Sequence, residues 1–236
     1  MKHLNRIKLG YDMVKYNLKI VFANKFVYFL IAALAFYLLV IAIALFSSSA
    51  SMNTGDMYSA LILPGILIIF YPVIFNIQND KDARMLEIIF GVPNYRFKVY
   101  LVRFLISILI LIVLLFFMGS FTVFAILRIP VLKMVYQLMF PLLFLASLGF
   151  LMASLTRNAS AAAVIMIVIG LFFWIMSEAV EHSKWNIFLN PFTVPNDMSL
   201  TVWKNVINQN RLMLVVGSVV SMLWSLINLQ RREKFI

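Results

Sequence analysis

FLISILILIVLLFFMGSFTVFAIL, residues 104–127, decides which solvent this chain folds in. It is apolar on every side. A lipid-facing β-strand alternates polar and apolar residues, whereas a stretch like this satisfies its backbone hydrogen bonds internally only as a helix. As a helix, about 20 residues cross a hydrocarbon layer roughly 30 Å thick. Five further stretches meet the same requirement, at 26–46, 57–77, 134–155, 159–177 and 212–229, and none of the six contains Asp, Glu, Lys, Arg or His. Each can therefore enter a bilayer without burying a charge.

The whole chain agrees with this reading. Its 236 residues are 64% hydrophobic and 12% charged, with a mean hydropathy of +0.98, which is more apolar surface than a soluble core of this size hides. The expected fold is an all-α integral membrane protein with six transmembrane helices, a single domain over 1–236, with no long-period repeat and no low-complexity tract. A net charge of +11 suggests nucleic acid at first sight, but the basic residues sit where a membrane protein places them. Fifteen of the twenty lie on one side of the spans: before residue 26, between the second and third spans, at Arg157 and at the C-terminal end. Only Arg128, Lys133, Lys184, Lys204 and Arg211 lie on the other. The positive-inside rule then puts both termini in the cytoplasm, with the lipid bilayer and not nucleic acid as the basic partner. A bacterial plasma membrane is the expected location.

Residues 1–25 place Leu4, Ile7, Tyr11, Val14, Leu18 and Val21 at steps of three and four, with Lys8, Lys15 and Lys19 between them. That pattern predicts an amphipathic helix in the anionic inner leaflet. The same segment lacks the unbroken apolar run and small-residue cleavage site of a signal peptide, so the first span is expected to remain as an anchor. With no cysteine there are no disulfides or thiolate metal sites. Pro64, Pro72 and Pro141 each remove a backbone donor inside a span and favour a kink. The segment 178–211 reads as the longest outer loop, with short helices at the outer boundary broken at Pro191 and Pro195. Asn158-Ala159-Ser160 matches a glycosylation acceptor but falls at an inner boundary and reads as chance.

The informative connection is 78–103, QNDKDARMLEIIFGVPNYRFKVYLVR. Asp80 and Asp82 suit a first helical turn, Asp80 and Arg84 stand four apart as a supporting ion pair, and Gly91 with Pro93 stops the helix. An acidic residue, then Leu86-Glu87, then Pro93, then Arg96, with Arg103 opening the third span, resembles the ABC type-2 exporter permease family. There a run like E-R-E-x-G-T-L-E-x-L-x-x-T-P-x-x-R follows the second span. Arg84 and Met85 stand where Gly-Thr is usual. The resemblance also covers the layout: an amphipathic N-terminal helix, six spans, inside termini and a long last outer loop. It implies that 78–98 is a coupling region seated on a separate ABC ATPase, with Asp80, Asp82, Arg84, Leu86, Glu87, Pro93 and Arg96 at the contact and Glu87 as its polar centre. It implies no cofactor in this chain, ATP and magnesium being held by the ATPase, and a second copy or sister permease as partner. It further implies a substrate path along the second and fifth spans, where Phe70, Tyr71, Phe172, Phe173 and Trp174 are candidate wall residues for a hydrophobic or amphipathic cargo.

What the spans lack bears on the energy source. Gradient-driven transporters need an ionisable or strongly polar site near the midplane, and the six spans hold no charge. No G-x-x-x-x-G-K-[ST] phosphate loop occurs either, so ATP hydrolysis is expected on another subunit. His3 and His182 are the only histidines and lack zinc-protease spacing, no G-x-S-x-G is present, and the 14 methionines are scattered. An exporter permease, not an enzyme, is the expectation. A membrane scaffold or anchor subunit and a membrane-embedded enzyme stand as the other classes.

Overall fold

The computed structural model of the chain describes residues 25–46, 53–82, 96–126 and 128–230. The residues predicted to form the amphipathic N-terminal helix lie outside these. Among the described residues there are helices and no strands: α1 (Phe26–Phe46), α2 (Thr54–Ile74), α3 (Asn76–Asp82), α4 (Arg96–Ala125), α5 (Val131–Thr156), α6 (Ala159–Ala179) and α7 (Leu200–Gln230). With α2 and α3 counted as one unit, six are long and apolar enough to cross a membrane. This is a multi-pass helical membrane protein.

Hydropathy locates the helices but understates their lengths, because polar caps lie beyond the apolar runs. Asn53 opens α2 through its Oδ1, which accepts from Gly55 N at 2.7 Å and Asp56 N at 3.0 Å, while Asp56 Oδ2 accepts from Asn53 N at 2.9 Å. This reciprocal box starts the helix ahead of Met57, where the apolar run begins. α2 then runs through Pro64 and Pro72, which leave it a continuous helix. At its far end α7 corrects the predicted outer loop. The helix begins at Leu200, so only 180–199 is a turn-built strap, and the polar residues 200–211 form helix that a hydropathy reading assigns to the loop.

The α5–α6 hairpin turns within two residues. Arg157 adopts the left-handed conformation (φ 56°) as the α5 cap, and Asn158 then caps α6, its Oδ1 accepting from Ser160 N at 2.9 Å and Ala161 N at 3.2 Å. The amide of the supposed glycosylation motif is thus engaged in a cap.

Two helices form the centre. α5 packs against α2, α4, α6 and α7, and α2 packs against α1, α4 and α5. Of the most apolar stretch of each unit, 67% of residues are buried in α2–α3 and 61% in α5, against 22% in α1 and in α6, which therefore stand at the periphery. The core joins Tyr58, Leu61 and Ile68 of α2 to Leu111 and Leu115 of α4 and to Met134, Leu142 and Phe150 of α5. Lipid is as apolar as leucine, so close packing and interhelical hydrogen bonds, not hydrophobicity, choose helix partners. Gly217 supplies the first on α7, where a Cβ would stand 2.6 Å from the Phe144 ring of α5. Ser225 Oγ donating to Phe150 O (3.2 Å) and Asn228 Nδ2 donating to Ser154 O (2.5 Å) supply the second along the same seam. Across the bundle, the Tyr37 hydroxyl of α1 donates to Met118 O of α4 at 2.5 Å and lies 2.7 Å from Thr122 Oγ1.

Replacing Asn158 by Ala should lower stability by about 1 kcal/mol, while Asp at the same position retains most of it. Thermal unfolding of the two variants in one detergent checks this.

Candidate functional site

Hydrocarbon cannot solvate a charge, so charged groups found inside a bundle need protein partners. Three places in this structure concentrate polar chemistry, and they lie at the ends of the apolar runs rather than at mid-depth.

The first is a clasp across the connection between α3 and α4. Arg103, one residue before the apolar run of α4, donates from Nη1 to Asp80 Oδ2 at 2.6 Å and to Asn76 Oδ1 at 2.9 Å. Arg103 and Asp80 are each 4% exposed, so the pair is shielded from water. The Tyr100 hydroxyl lies in the same charged pocket beside Asp80, buried and without a hydrogen bond of good geometry. Tyr100 and Arg103 stand three apart and so share a helix face, with the guanidinium 6.0 Å from the ring centroid. The clasp ties the last turn before 83–95 to the first turns after it. Arg84, the partner expected for Asp80, lies outside the described residues; the carboxylate turns inward to Arg103, whose buried guanidinium needs it.

The second place, at the opposite end, is organised by Arg211 of α7. Its Nε donates to Gln137 Oε1 of α5 at 2.9 Å, Nη1 to Asn210 Oδ1 at 2.9 Å, and Nη2 to the Tyr58 hydroxyl of α2 and to Leu189 O, both at 3.3 Å. The Phe140 ring lies beneath it, 5.4 Å from Cζ to centroid. Arg211 is 6% exposed, and each of these acceptors is neutral. A planar fork of five donors suits such a fan, and a lysine could not reproduce it. Neighbouring Asn210 donates to Lys184 O and Asn186 O, both at 2.8 Å. The strap is thereby fixed to α7, and Asn190 Nδ2 fixes it to α2 through Gly55 O at 2.8 Å.

The third place is a cleft of about 1100 Å³ between α1, α2 and α6, closed at one end by the strap. Its inner part is apolar, lined by Phe36 and Val40 of α1, Ile62, Leu63 and Ile66 of α2, and Trp174 of α6. Its strap end is polar, with Glu178, Glu181, His182, Asn190, Asp197 and Trp203. His182 Nδ1 lies 3.6 Å from Asp197 Oδ2 and its Nε2 lies 3.9 Å from Glu181 Oε2, while its ring meets that of Trp203 edge to face at 6.2 Å. The peripheral position of α6, seated on α5 and barely touching α2, is what opens this space.

The predicted site residues fall unevenly among these places. Asp80 is in the clasp. Asp82 is exposed at the end of α3, accepting from Gln78 Nε2 at 2.7 Å. Arg96 opens α4, while Arg84, Leu86, Glu87 and Pro93 lie outside the described residues. Of the five candidate wall residues, Trp174 alone lines the cleft. Tyr71 is 3% exposed and stacks on Phe75 (4.8 Å) and against Phe29 (5.1 Å), and Phe70 stacks on Phe29, so both belong to the α1–α2 packing. Phe172 faces outward from α6, with Phe173 edge-on to it. Antiparallel direction explains the separation: residues 70–71 sit near the end of α2 away from the strap, and 172–174 near the end of α6 beside it. Sequence reading missed Arg211, Asn210, Asn190 and the cleft carboxylates. One signal was present, since three of the nine acidic residues of a strongly basic chain fall within 178–197. No protein-family model, curated protein or solved structure matches this chain.

Asp80→Ala should cost about 3–5 kcal/mol by leaving Arg103 buried without its carboxylate, and adding Arg103→Met should recover much of that. A double-mutant cycle on thermal unfolding measures the coupling. Arg211→Lys, with charge kept but the fan lost, should destabilise by roughly 2 kcal/mol in the same assay.

Proposed function

We propose that this chain is the membrane permease subunit of an ATP-driven ABC exporter, moving a hydrophobic or amphipathic substrate out across the membrane with energy from a separate ATPase. The Asp80–Arg103–Asn76 clasp carries the reading. It joins both flanks of 83–95, the connection holding Leu86, Glu87 and Pro93, where the resemblance to the type-2 exporter permeases is most specific. A connection clasped in this way moves α2 and α4 together, which is what a coupling element needs if closure of an ATPase is to shift the spans. The location of charge adds support. Arg103 and Arg211 border apolar runs, with Asp80 beside Arg103, and the runs themselves hold no Asp, Glu, Lys, Arg or His near mid-depth to bind a driving ion.

In this reading the clasp end faces the cytoplasm with the fifteen basic residues and both termini, and the N-terminal amphipathic helix lies in the inner leaflet. The strap end faces outward. The membrane is a bacterial plasma membrane, and a second copy or sister permease completes the path. ATP and magnesium reside on the ATPase.

The test is co-purification followed by coupling. An ATPase should accompany the permease, and Glu87→Ala and Glu87→Arg should lower permease-dependent ATP hydrolysis in nanodiscs, the reversal more than tenfold, with thermal stability unchanged. Absence of any ATPase partner points instead to an anchoring subunit. Uptake into liposomes driven by a proton or sodium gradient, without nucleotide, overturns the energy assignment.

A further inference from the structure

We infer that the α1–α2–α6 cleft binds an amphipathic cation, its apolar body between the helices and its positive group among the carboxylates at the strap. As the class of substrate carried, this rests on the exporter reading; as a binding site it stands on the cleft alone. About 1100 Å³ is the size of a drug-like ligand site. The lining is graded. Val40, Ile62, Leu63 and Ile66 are apolar, whereas Glu178, Glu181 and Asp197 gather at one end, and among the described residues no Lys or Arg lines the cleft. In a chain of net charge +11 that local excess of negative charge selects for cations and against anions.

Two further observations point to a ligand. Trp203 lines the polar end, is 3% exposed, and its indole N–H finds no acceptor among the described residues. A buried donor of that kind is costly unless an oxygen comes to it, and an ester or amide oxygen next to a cationic head would supply one. The exposed ring of Trp174, one helical turn before Glu178, also suits a quaternary or primary ammonium. At the apolar part, Gly170 of α6 lines the cleft, and a Cβ placed there meets nothing within 4 Å. The space is open at the site where the body of a ligand would lie.

The experiment uses the full chain in nanodiscs and lauroylcholine below its micellar concentration as the probe, an ester with a quaternary ammonium head, with binding to empty discs subtracted. Saturable binding is expected. Laurate, with the same tail and a negative head, should bind at least about tenfold more weakly at low salt. Gly170→Leu places a side chain in open space, so it should fold normally and abolish saturable binding. Glu178→Gln, Glu181→Gln and Asp197→Asn together should weaken lauroylcholine about tenfold. Glu178→Lys with Glu181→Lys should reverse the preference towards laurate, a gain that misfolding cannot imitate. No saturable binding by the wild-type chain, equal affinity for laurate, or affinity unmoved by Gly170→Leu and by the carboxylate changes would each overturn the inference. No ATPase is needed, so a negative result here leaves the exporter reading intact, and a missing ATPase leaves the binding result intact.

Discussion

A solvent that offers no hydrogen bonds governs this molecule. Inside hydrocarbon each backbone group must be satisfied within its own helix, and each side-chain donor or charge must be matched by another part of the protein. The apolar runs obey the first condition by composition. The second pushes Asp80, Arg103, Asn210 and Arg211 to the ends, where they are paired and fanned instead of solvated. Between the ends, hydroxyls turn mostly to backbone carbonyls, as Ser225 does to Phe150 and Tyr37 to Met118.

That constraint leaves packing to decide the arrangement. Glycine at 217 and serine and asparagine at 225 and 228 draw α7 onto α5, and α5 with α2 becomes the axis of the bundle. α1 packs mainly on α2 and α6 mainly on α5, and each leaves most of its apolar surface exposed. The gap between them is a product of this imbalance. A bundle with equally matched helices would close it.

Much of the fold is legible from hydropathy, since a run such as 104–127 has one physically acceptable conformation in lipid. The ends are not legible in the same way. Leu200–Arg211 contains Lys204, Asn205, Asn208 and Asn210, and its helicity depends on the apolar turns that follow and on the strap it receives. Arg211 and Arg103 read as topology markers because both border apolar runs, and nothing in local sequence tells that each is buried. Their partners, Gln137 and Tyr58 in one case and Asp80 and Asn76 in the other, lie 74, 153, 23 and 27 residues away. The candidate wall aromatics show the same limit. Phe70, Tyr71 and Trp174 have similar local surroundings, and only the direction of α2 against α6 sends the first two into packing and the third into the cleft.

The fan of Arg211 bears on how the protein is made. Synthesis runs from the N-terminus, so Tyr58 and Gln137 emerge long before the guanidinium that joins them, and the strap has neither Asn210 nor Arg211 to hold it until the last helix appears. Until then the half-built bundle keeps polar groups without partners, and the strap's hydrogen bonds hold it to α2 through Asn190 alone. The final helix is therefore a latch, and a chain cut short before residue 211 leaves Tyr58 and Gln137 without the guanidinium that joins α2 to α5.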